Sequence, residues 1–121
     1  MEYKRLGNTD LAISSLGFGL MRLPVTGAGD YSAAVSLIRE AIKRGINFFD
    51  VGTFYCNDQC ETVFGQAIRN PESEIILSGK SSSHQTPAED WTSRLKNTLR
   101  LFGRDSLDIY FIHYLDFAVW E

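Results

Sequence analysis

The sequence predicts an α/β fold in which parallel strands are joined by helices. Short apolar runs at 46–51, 75–77 and 107–112 are separated by longer stretches in which apolar residues recur with helical spacing. Turn-forming residues stand between the two kinds of stretch. Strands that alternate with helices of this length pair in parallel through right-handed crossovers. A doubly wound sheet and a (β/α)8 barrel both satisfy this pattern, and the pattern by itself does not choose between them.

Composition and charge indicate one globular domain that has no affinity for polyanions. The 121 residues are 44% hydrophobic and 22% charged, and the net charge of −3 gives no basis for binding nucleic acid or an anionic membrane. No apolar run approaches the roughly 18 residues of a membrane span. The opening Met1–Arg5 is too polar for a signal peptide. We therefore expect a cytoplasmic location, in which Cys56 and Cys60 are reduced thiols.

Residues 1–16 are predicted to form a β-hairpin. Tyr3–Leu6 and Leu11–Leu16 are short apolar-containing runs, and Gly7–Asp10 between them is rich in turn-forming residues. A short strand at Leu16–Leu20 follows. We therefore treat 1–121 as one unit, with a hairpin at 1–16 and βα units at 17–121.

Three amphipathic helices are predicted from their start signals, stop signals and apolar spacing. Asp30 is the predicted N-cap of the first helix, which Gly45 ends. Asp58 and Glu61 have the spacing of a capping box before the second helix. Thr86–Glu89 combine an N-cap, a proline at the first helical position and an acidic residue at the third. The predicted buried faces are Ala34, Val35, Ile38, Ala41 and Ile42; Cys60, Phe64, Ala67 and Ile68; and Trp91, Leu95, Thr98, Leu99 and Phe102.

Four polar side chains stand at or just beyond the ends of predicted strands. In parallel α/β folds, the active site is assembled at the carboxyl ends of several strands. We therefore expect these side chains to converge on one side of the molecule. They are Asp50 and Tyr55 after the strand at 46–51, Lys80 at the end of the next strand, and His113 at the end of the last.

Each of these residues also has an ordinary structural interpretation. An aspartate after a strand is often a helix cap, and a loop tyrosine is often a packing residue. A lysine within Gly79–Ser83 is usually solvated, and a histidine beside Tyr110 is often a hydrogen-bonded structural residue. The occurrence of all four residues at the same end of parallel strands favours a catalytic site over four separate structural roles.

This set of residues suits proton donation to a carbonyl oxygen. An isolated phenol is a poor acid at neutral pH and becomes a better proton donor beside a cation. Lys80 can supply that cation, and Asp50 can keep Lys80 charged, because a buried ammonium group requires a partner. His113 can donate a hydrogen bond to the substrate oxygen. The predicted chemistry is general-acid catalysis with a separate hydride donor.

The motifs around these residues resemble those of the aldo-keto reductase family. The family signature reads G-x-N-x-F-D-T-A-x-x-Y-G, then S-E, then L-G-x-A-L, with a lysine after the third strand and D-x-Y-x-x-H on the fourth. The resemblance extends over essentially the whole chain, including the hairpin and the first strand. The matching residues are Gly45–Asp50, Tyr55, Glu61, Phe64–Ile68, Lys80 and Asp108–His113.

The resemblance implies a partial (β/α)8 TIM barrel with an N-terminal hairpin, about four parallel strands and three helices. It implies an NADPH-dependent oxidoreductase that reduces an aldehyde or ketone, a small carbonyl substrate, to an alcohol. Tyr55 is then the proton donor, with assistance from Lys80, Asp50 and His113. The resemblance also assigns Asp50 a role in binding the cofactor, at the nicotinamide ribose.

Some segments depart from the family pattern or resemble only part of the family. Gly19–Pro24 and the tail at 113–121 are similar to a bacterial subgroup, some of whose members carry a C-terminal iron–sulfur extension that this sequence does not contain. Val51–Gly52 stand where the family has Thr-Ala, Cys56 where it has glycine, and Gly79 where it has a small hydroxyl residue. These changes alter the lining of the site without removing a catalytic group.

The number of strands leads us to expect part of a longer reductase. The family barrel has eight strands, and its main phosphate-binding loops follow strands 7 and 8. Half a barrel has open strand edges, so we expect this chain to be inactive alone and to pair through those edges with the missing half or with itself. The alternative is a non-enzymatic remnant or partner-binding module that requires a second chain. Survival of all four catalytic residues counts against that alternative.

A metal site is the third interpretation. Cys56, Cys60, His84 and His113 are the available ligands, but their spacing is not that of structural zinc sites. Cys60 also lies on an apolar helical stripe, where cysteine is commonly a small buried hydrophobe. We therefore predict that the protein has no metal site.

Overall fold

The computed structural model describes residues 1–26, 29–69, 74–82 and 88–114. The predicted helix start at Thr86 and Pro87, the candidate ligand His84 and the tail at 115–121 lie outside the described residues. Among the helices that are described, none is long and apolar enough to cross a membrane.

An antiparallel hairpin opens the chain, as predicted. Strand β1 (Tyr3–Arg5) pairs with β2 (Ala12–Ser14). The turn between them is closed by the N–H of Leu6, which donates to the carbonyl of Leu11 at 2.9 Å. The turn-rich sequence between the two apolar runs therefore reverses the chain where the pattern indicated.

Parallel strands follow the hairpin and lie side by side in chain order. The first two pair in parallel, the last two pair in parallel, and a parallel bridge between Phe48 and Ile76 joins the two pairs. The strands differ from their predicted ranges, and the third strand of the series lies at residues 78–82, after the apolar run at 75–77. The strands are β3 (Phe18–Gly19), β4 (Phe49–Asp50), β5 (Ser78–Ser82) and β6 (Ile109–His113).

A helix connects each strand of this series to the next. Helix α1 (Ser32–Lys43) follows β3, α2 (Cys60–Ala67) follows β4, and α3 (Ala88–Phe102) follows β5. Gly45, with a φ of 89°, ends α1 in a left-handed conformation that favours glycine. The predicted partial (β/α)8 arrangement, with one hairpin, four parallel strands and three helices, is present.

Asn47 attaches the hairpin to the barrel. Its Oδ1 atom accepts a hydrogen bond from the N–H of Ser14 at 2.7 Å, and its Nδ2 atom donates to the carbonyl of Ala12 at 2.8 Å. Because Asn47 precedes β4, the hairpin lies at the amino end of that strand. The carboxyl end, which carries Asp50, is therefore left open.

The core lies between the strands and the helices and is built on aromatic contacts. Phe49 of β4 packs on Phe64 of α2 with ring centroids 5.3 Å apart, and Phe64 meets Phe102 of α3 edge-on at 5.1 Å. All three rings are essentially inaccessible to solvent. Burial of each contributes roughly 1.5–3 kcal/mol. The predicted helical faces are confirmed at the fully buried positions Ala34, Ile38, Cys60, Phe64, Ile68 and Thr98.

Two predicted helix caps are wrong. The N-cap of α1 is Tyr31 rather than Asp30, although the Asp30 carboxylate still accepts the N–H of Ser32 at 2.9 Å. The N-cap of α2 is Gln59, so Asp58 and Glu61 do not form a capping box. Asp58 has a φ of 63°, in the left-handed region, whereas an N-cap residue ordinarily has extended backbone.

Candidate active site

Asp50 and Lys80 form an ion pair at the carboxyl ends of the strands. The Nζ atom of Lys80 lies 2.5 Å from Oδ1 of Asp50. The lysine side chain is 10% exposed and the aspartate side chain 43% exposed. Lys80 lies in the middle of β5, not at its end as predicted, because β6 continues to pair with β5 as far as His113 opposite Ser82. The site therefore holds a buried cation whose carboxylate partner remains accessible.

Tyr55 lies in the loop directly after β4 and is held by a tight turn. Its N–H donates to the carbonyl of Gly52, and its own carbonyl accepts the N–H of Cys60, both at 3.2 Å. The Nζ atom of Lys80 is 5.3 Å from the centroid of the Tyr55 ring. The phenol therefore lies beside the buried ammonium group, as the proton-donor hypothesis requires.

The turn after Tyr55 consists of three consecutive residues with left-handed backbone. Cys56, Asn57 and Asp58 have φ values of 54°, 54° and 63°. A left-handed conformation costs a residue other than glycine roughly 1–2 kcal/mol, so tertiary contacts must hold this turn. One such contact is the thiol of Cys56, which donates to the carbonyl of Leu20 just after β3, with sulfur and oxygen 3.2 Å apart. Cys56 therefore links the loop of Tyr55 to the neighbouring strand.

His113 ends β6 and faces the same space. Its ring meets the Tyr55 ring edge-on, with centroids 6.0 Å apart and an interplanar angle of 85°. The ring of Tyr114 also stacks on the imidazole, with centroids 4.0 Å apart. The structure therefore brings all four predicted residues together: Asp50, Tyr55, Lys80 and His113.

The charges of the site set the protonation of Lys80 and His113. Burial lowers the pKa of Lys80, but the hydrogen bonds of Asp50 and Tyr55 together outweigh it, and the pKa lies above its ordinary value. Burial and the charge of Lys80 lower the pKa of His113, against the opposing charge of Asp50. At neutral pH the site thus contains an ammonium ion and a neutral imidazole. A neutral imidazole has one N–H that can donate a hydrogen bond.

A cleft of about 440 Å³ opens beside Tyr55, between the loops that follow β3 and β4. Ligand pockets for small molecules have volumes of roughly 300–1,000 Å³. The cleft is therefore large enough to admit a small carbonyl compound. Its walls are Met21, Arg22, Leu23, Val25, Phe54, Tyr55, Cys56, Asn57 and Gln59.

The same order of strands and helices is found in known proteins. The family model described as the Aldo/keto reductase family matches residues 15–120. The chain belongs to this family. L-galactose dehydrogenase from Arabidopsis thaliana is 32% identical to it over 126 residues, which cover 98% of this chain and 40% of that protein.

Solved structures of aldo-keto reductases superpose on most of the chain. The holo form of AKR11C1 from Bacillus halodurans has a TM-score of 0.75 at 28% identity and covers 91% of this chain and 39% of that one. An aldo-keto reductase from Klebsiella pneumoniae in complex with NADPH has a TM-score of 0.76 at 26% identity and covers 87% and 37%. The chain thus spans about two fifths of the length of these aldo-keto reductases. The predicted family and the partial barrel are confirmed.

The two cysteines of this aldo-keto reductase chain give no support to a metal site. Burial raises the pKa of the Cys60 thiol to about 12, which keeps it protonated. The Cys56 thiol donates to backbone carbonyls. Within the ranges that the structure describes, no three His, Cys, Asp or Glu side chains are grouped as metal ligands. The candidate ligand His84 lies outside those ranges.

Sequence reasoning missed one residue of the candidate site and noted a second, Gly52, only as a departure from the family pattern. Phe111 of β6 faces the buried cation, with the Nζ atom of Lys80 5.5 Å from its ring centroid. Gly52 lies against both Tyr55 and Lys80. The signal that could have found Gly52 was its position two residues after Asp50, where the family pattern has alanine.

Glu61 has a structural partner that the capping interpretation did not anticipate. It is 4% exposed, and its Oε1 atom accepts the hydroxyl of Thr98 in α3 at 2.7 Å. Burial raises the pKa of Glu61, against the opposing effects of the Thr98 hydrogen bond and the charge of Arg94. The Glu61–Thr98 hydrogen bond therefore links α2 to α3. The carboxyl group of Glu61 retains its proton more readily than an exposed glutamate does.

We expect Glu61→Gln to remove a pH dependence of stability. A raised pKa means that the folded protein binds the Glu61 proton more tightly than the unfolded chain does. The contribution of Glu61 to the free energy of unfolding is therefore fully present below its ordinary pKa of 4.5. This contribution is lost as the pH rises through the raised pKa. Glutamine keeps an oxygen for Thr98 but does not ionise. Urea unfolding from about pH 4 to pH 8 should show a smaller fall in the free energy of unfolding for Glu61→Gln than for the wild type.

Glu2→Gln is the matched control, because its side chain is 73% exposed. This variant should follow the pH dependence of the wild type. If the free energy of unfolding fell equally with pH in Glu61→Gln and in the wild type, Glu61 would not be the source of the pH dependence.

Proposed function

We propose that the protein is an NADPH-dependent oxidoreductase that reduces an aldehyde or ketone to an alcohol and that it acts in the cytoplasm. The observation that carries this proposal is the convergence of a phenol, a charged amine, a carboxylate and a neutral imidazole at one end of the strands. Membership of the aldo-keto reductase family supports the reaction class. The related protein from Klebsiella pneumoniae was crystallised with NADPH, which supports the cofactor.

Asp50 is the residue of this chain that fits the nicotinamide ribose. Its Oδ1 atom is occupied by Lys80, but its side chain is 43% exposed at the open end of β4. A carboxylate has two acceptor oxygens, so Asp50 can also accept a hydrogen bond from a ribose hydroxyl group. The bound NADPH would supply a hydride. In this fold the phosphate groups are held by loops after strands 7 and 8, beyond the four parallel strands present here.

Tyr55 transfers its hydroxyl proton to the carbonyl oxygen as the carbonyl carbon gains the hydride. The product oxygen is then an alcohol, and Tyr55 is left as a phenolate. Lys80 lies beside that phenol and stabilises its negative charge. Asp50 keeps Lys80 charged and oriented through their 2.5 Å contact. The ion pair therefore acts on the proton donor rather than on the substrate.

His113 positions the substrate. Its neutral imidazole lies edge-on to the Tyr55 ring, so an N–H group of His113 and the hydroxyl of Tyr55 can reach the same carbonyl oxygen. Two donors at one oxygen fix the orientation of the carbonyl group and stabilise the charge that develops on it. A protonated His113 would instead place a second cation beside Lys80.

The experiment that tests the proposal is an assay of NADPH oxidation with a panel of aldehydes and ketones, on the whole protein. We expect reduction of at least one carbonyl class, and we expect Lys80→Met to lower kcat by about 10²–10⁴-fold because it removes the cation beside the phenol. Lys4→Met is the control, since Lys4 is 67% exposed and its contact with Glu2 is a surface ion pair of little energetic weight. Absence of carbonyl reduction by the wild type, or full activity in Lys80→Met, would refute the proposal.

A second candidate function is partner binding through the edge of the sheet. Among the described residues, β6 pairs with β5 alone, and Phe111 and Ile112 of β6 are 40% and 46% exposed. Exposed apolar residues on an edge strand favour pairing with a further strand. We propose that a segment completing the barrel, from a second chain or a second copy, pairs here. Size measurement of Ile112→Lys against wild type tests this, because a charged residue at the edge should abolish any association.

A further inference from the structure

Arg22 and Tyr55 line the same cleft of about 440 Å³. They belong to adjoining loops, which follow β3 and β4. The thiol of Cys56, the residue after Tyr55, donates to the carbonyl of Met21, with sulfur and oxygen 3.5 Å apart. Met21 directly precedes Arg22, so this contact holds the loop of the arginine against the loop of the proton donor.

The loop of Arg22 is anchored on both sides of the arginine. Leu20 is fully buried and Leu23 is 8% exposed, and both belong to the hydrophobic core. Met21 and Arg22 between them are exposed. Core packing therefore fixes the Arg22 backbone at the cleft, and only the arginine side chain has to be ordered when a ligand binds.

The guanidinium group of Arg22 makes no hydrogen bond or ion pair within residues 1–26, 29–69, 74–82 and 88–114. Most other arginines of the chain are engaged by the protein itself. Arg5, Arg39, Arg44, Arg100 and Arg104 donate hydrogen bonds to other groups of the chain, and Arg94 lies over the ring of Phe54. Arg22 therefore keeps its N–H donors available for a ligand.

None of the described walls of this cleft is a carboxylate. Asp58, which follows Asn57 in the chain, lines a second cleft together with Glu61. The polar walls beside Arg22 include the side-chain amides of Asn57 and Gln59, which can also donate hydrogen bonds. A cation with no carboxylate beside it, surrounded by neutral donors, favours an anionic ligand.

We propose that Arg22 makes the protein selective for carbonyl compounds that also carry a carboxylate group. The guanidinium group binds the carboxylate through two parallel hydrogen bonds, while the carbonyl group lies at Tyr55. The apolar side chains of Met21 and Phe54 line the cleft beside the carbon skeleton of such a substrate. The inference rests on the proposed function, because it names the substrate class of the same site.

The phosphate groups of NADPH are the other anions that could reach an arginine of this site. In this fold they are held by loops after strands 7 and 8, whereas Arg22 follows β3 and shares its cleft with the proton donor. The geometry therefore favours the substrate as the source of the anion, and the two sources predict different kinetics.

The test compares para-carboxybenzaldehyde with its uncharged methyl ester as substrates of the whole protein. We expect Arg22→Met to lower kcat/KM for the acid by about tenfold or more, because a charge-assisted hydrogen bond is lost, and to leave kcat/KM for the ester nearly unchanged. Arg22→Lys keeps the charge without the planar fork and should give an intermediate value for the acid. An equal fall for both substrates in Arg22→Met would overturn the proposal. Such a fall with a raised KM for NADPH would assign Arg22 to the cofactor.

Arg69→Met is the matched control, because Arg69 is exposed and lines a separate cleft beside α1. This variant loses the same charge and should keep the wild-type kcat/KM for both substrates. If Arg69→Met lowered kcat/KM for the acid as much as Arg22→Met, the effect would come from the net charge, and the proposal would be wrong.

A binding measurement separates failure of this inference from failure of the proposed function. The probe is para-(hydroxymethyl)benzoate, the alcohol that reduction of the acid would form, titrated calorimetrically without a cofactor. We expect the wild type to bind it about tenfold or more tightly than Arg22→Met does. If the wild type reduces neither aldehyde but shows this difference, the proposed function fails and the anion subsite stands. Equal affinity in the two proteins would overturn the inference, whatever the wild type reduces.

Discussion

Replacement of Tyr55 by phenylalanine is expected to lower carbonyl reduction by about 10²–10⁴-fold, close to complete loss in a routine assay, while NADPH affinity stays nearly unchanged. Phenylalanine retains the ring carbons that pack on Gly52 and the edge contact with His113. Only the hydroxyl group is lost, and with it the proton. Steady-state kcat and KM for the carbonyl substrate, together with NADPH titration by fluorescence, measure the two quantities.

Tyr3→Phe is the matched control for this experiment, because it removes a hydroxyl group at the opposite end of the barrel. The Tyr3 hydroxyl donates to the carbonyl of Gly45 at 2.8 Å. Its loss should cost about 0.5–1.5 kcal/mol of stability and leave kcat unchanged. If Tyr55→Phe retained the wild-type kcat, the proton-donor assignment would be wrong. If Tyr55→Phe lost NADPH affinity in proportion to activity, Tyr55 would serve binding instead.

The second large effect is a loss of stability of about 3 kcal/mol or more in Gly65→Ala. Gly65 lies in the middle of α2 where it crosses α3, and a methyl group on it would lie 2.0 Å from the backbone carbonyl oxygen of Leu101. The clash is with backbone on both sides, so neither partner can move without separating the helices. Intrinsic helix propensity acts in the opposite direction, because alanine is better than glycine by about 1 kcal/mol. The overlap is severe enough that we expect it to outweigh propensity.

Chemical unfolding of Gly65→Ala and of Gln66→Ala separates the steric overlap with Leu101 from the gain in helix propensity. Gln66 is the next residue of α2 and is only partly buried, so its replacement by alanine should change the free energy of unfolding by less than about 1 kcal/mol. Equal or greater stability of Gly65→Ala relative to wild type would mean that propensity prevails. The helix crossing at Leu101 would then be wider than the structure shows.

Local signals in the sequence predicted the order of the elements well. The hairpin at 1–16 follows from two apolar runs around a turn, and α1 follows from the spacing of Ala34, Ile38 and Ile42. Both depend on residues close in the chain, whose preferences act before tertiary contacts form. The site was predictable for a related reason. In parallel strands, polar residues at the carboxyl ends meet at one edge of the sheet. The topology therefore requires Asp50 and His113 to face the same side.

The cap of α2 was not predictable because a distant contact decides it. Asp58 and Glu61 have capping-box spacing, yet the turn at 56–58 is left-handed and Glu61 turns to Thr98, 37 residues away. A carboxyl group buried between two helices needs a hydrogen-bond partner, and the hydroxyl of Thr98 supplies it. No local pattern records that competition.

The sequence by itself determined the alternation of strands and helices, the family, and the four polar residues that share one end of the sheet. It did so because periodicity, turn chemistry and motif spacing are properties of neighbouring residues. Only the tertiary structure decided that Lys80 lies inside β5, that Cys56 joins two loops, and that Arg22 lines the cleft beside Tyr55. Each of these depends on a distance between atoms of residues far apart in the chain, and such distances are set by packing.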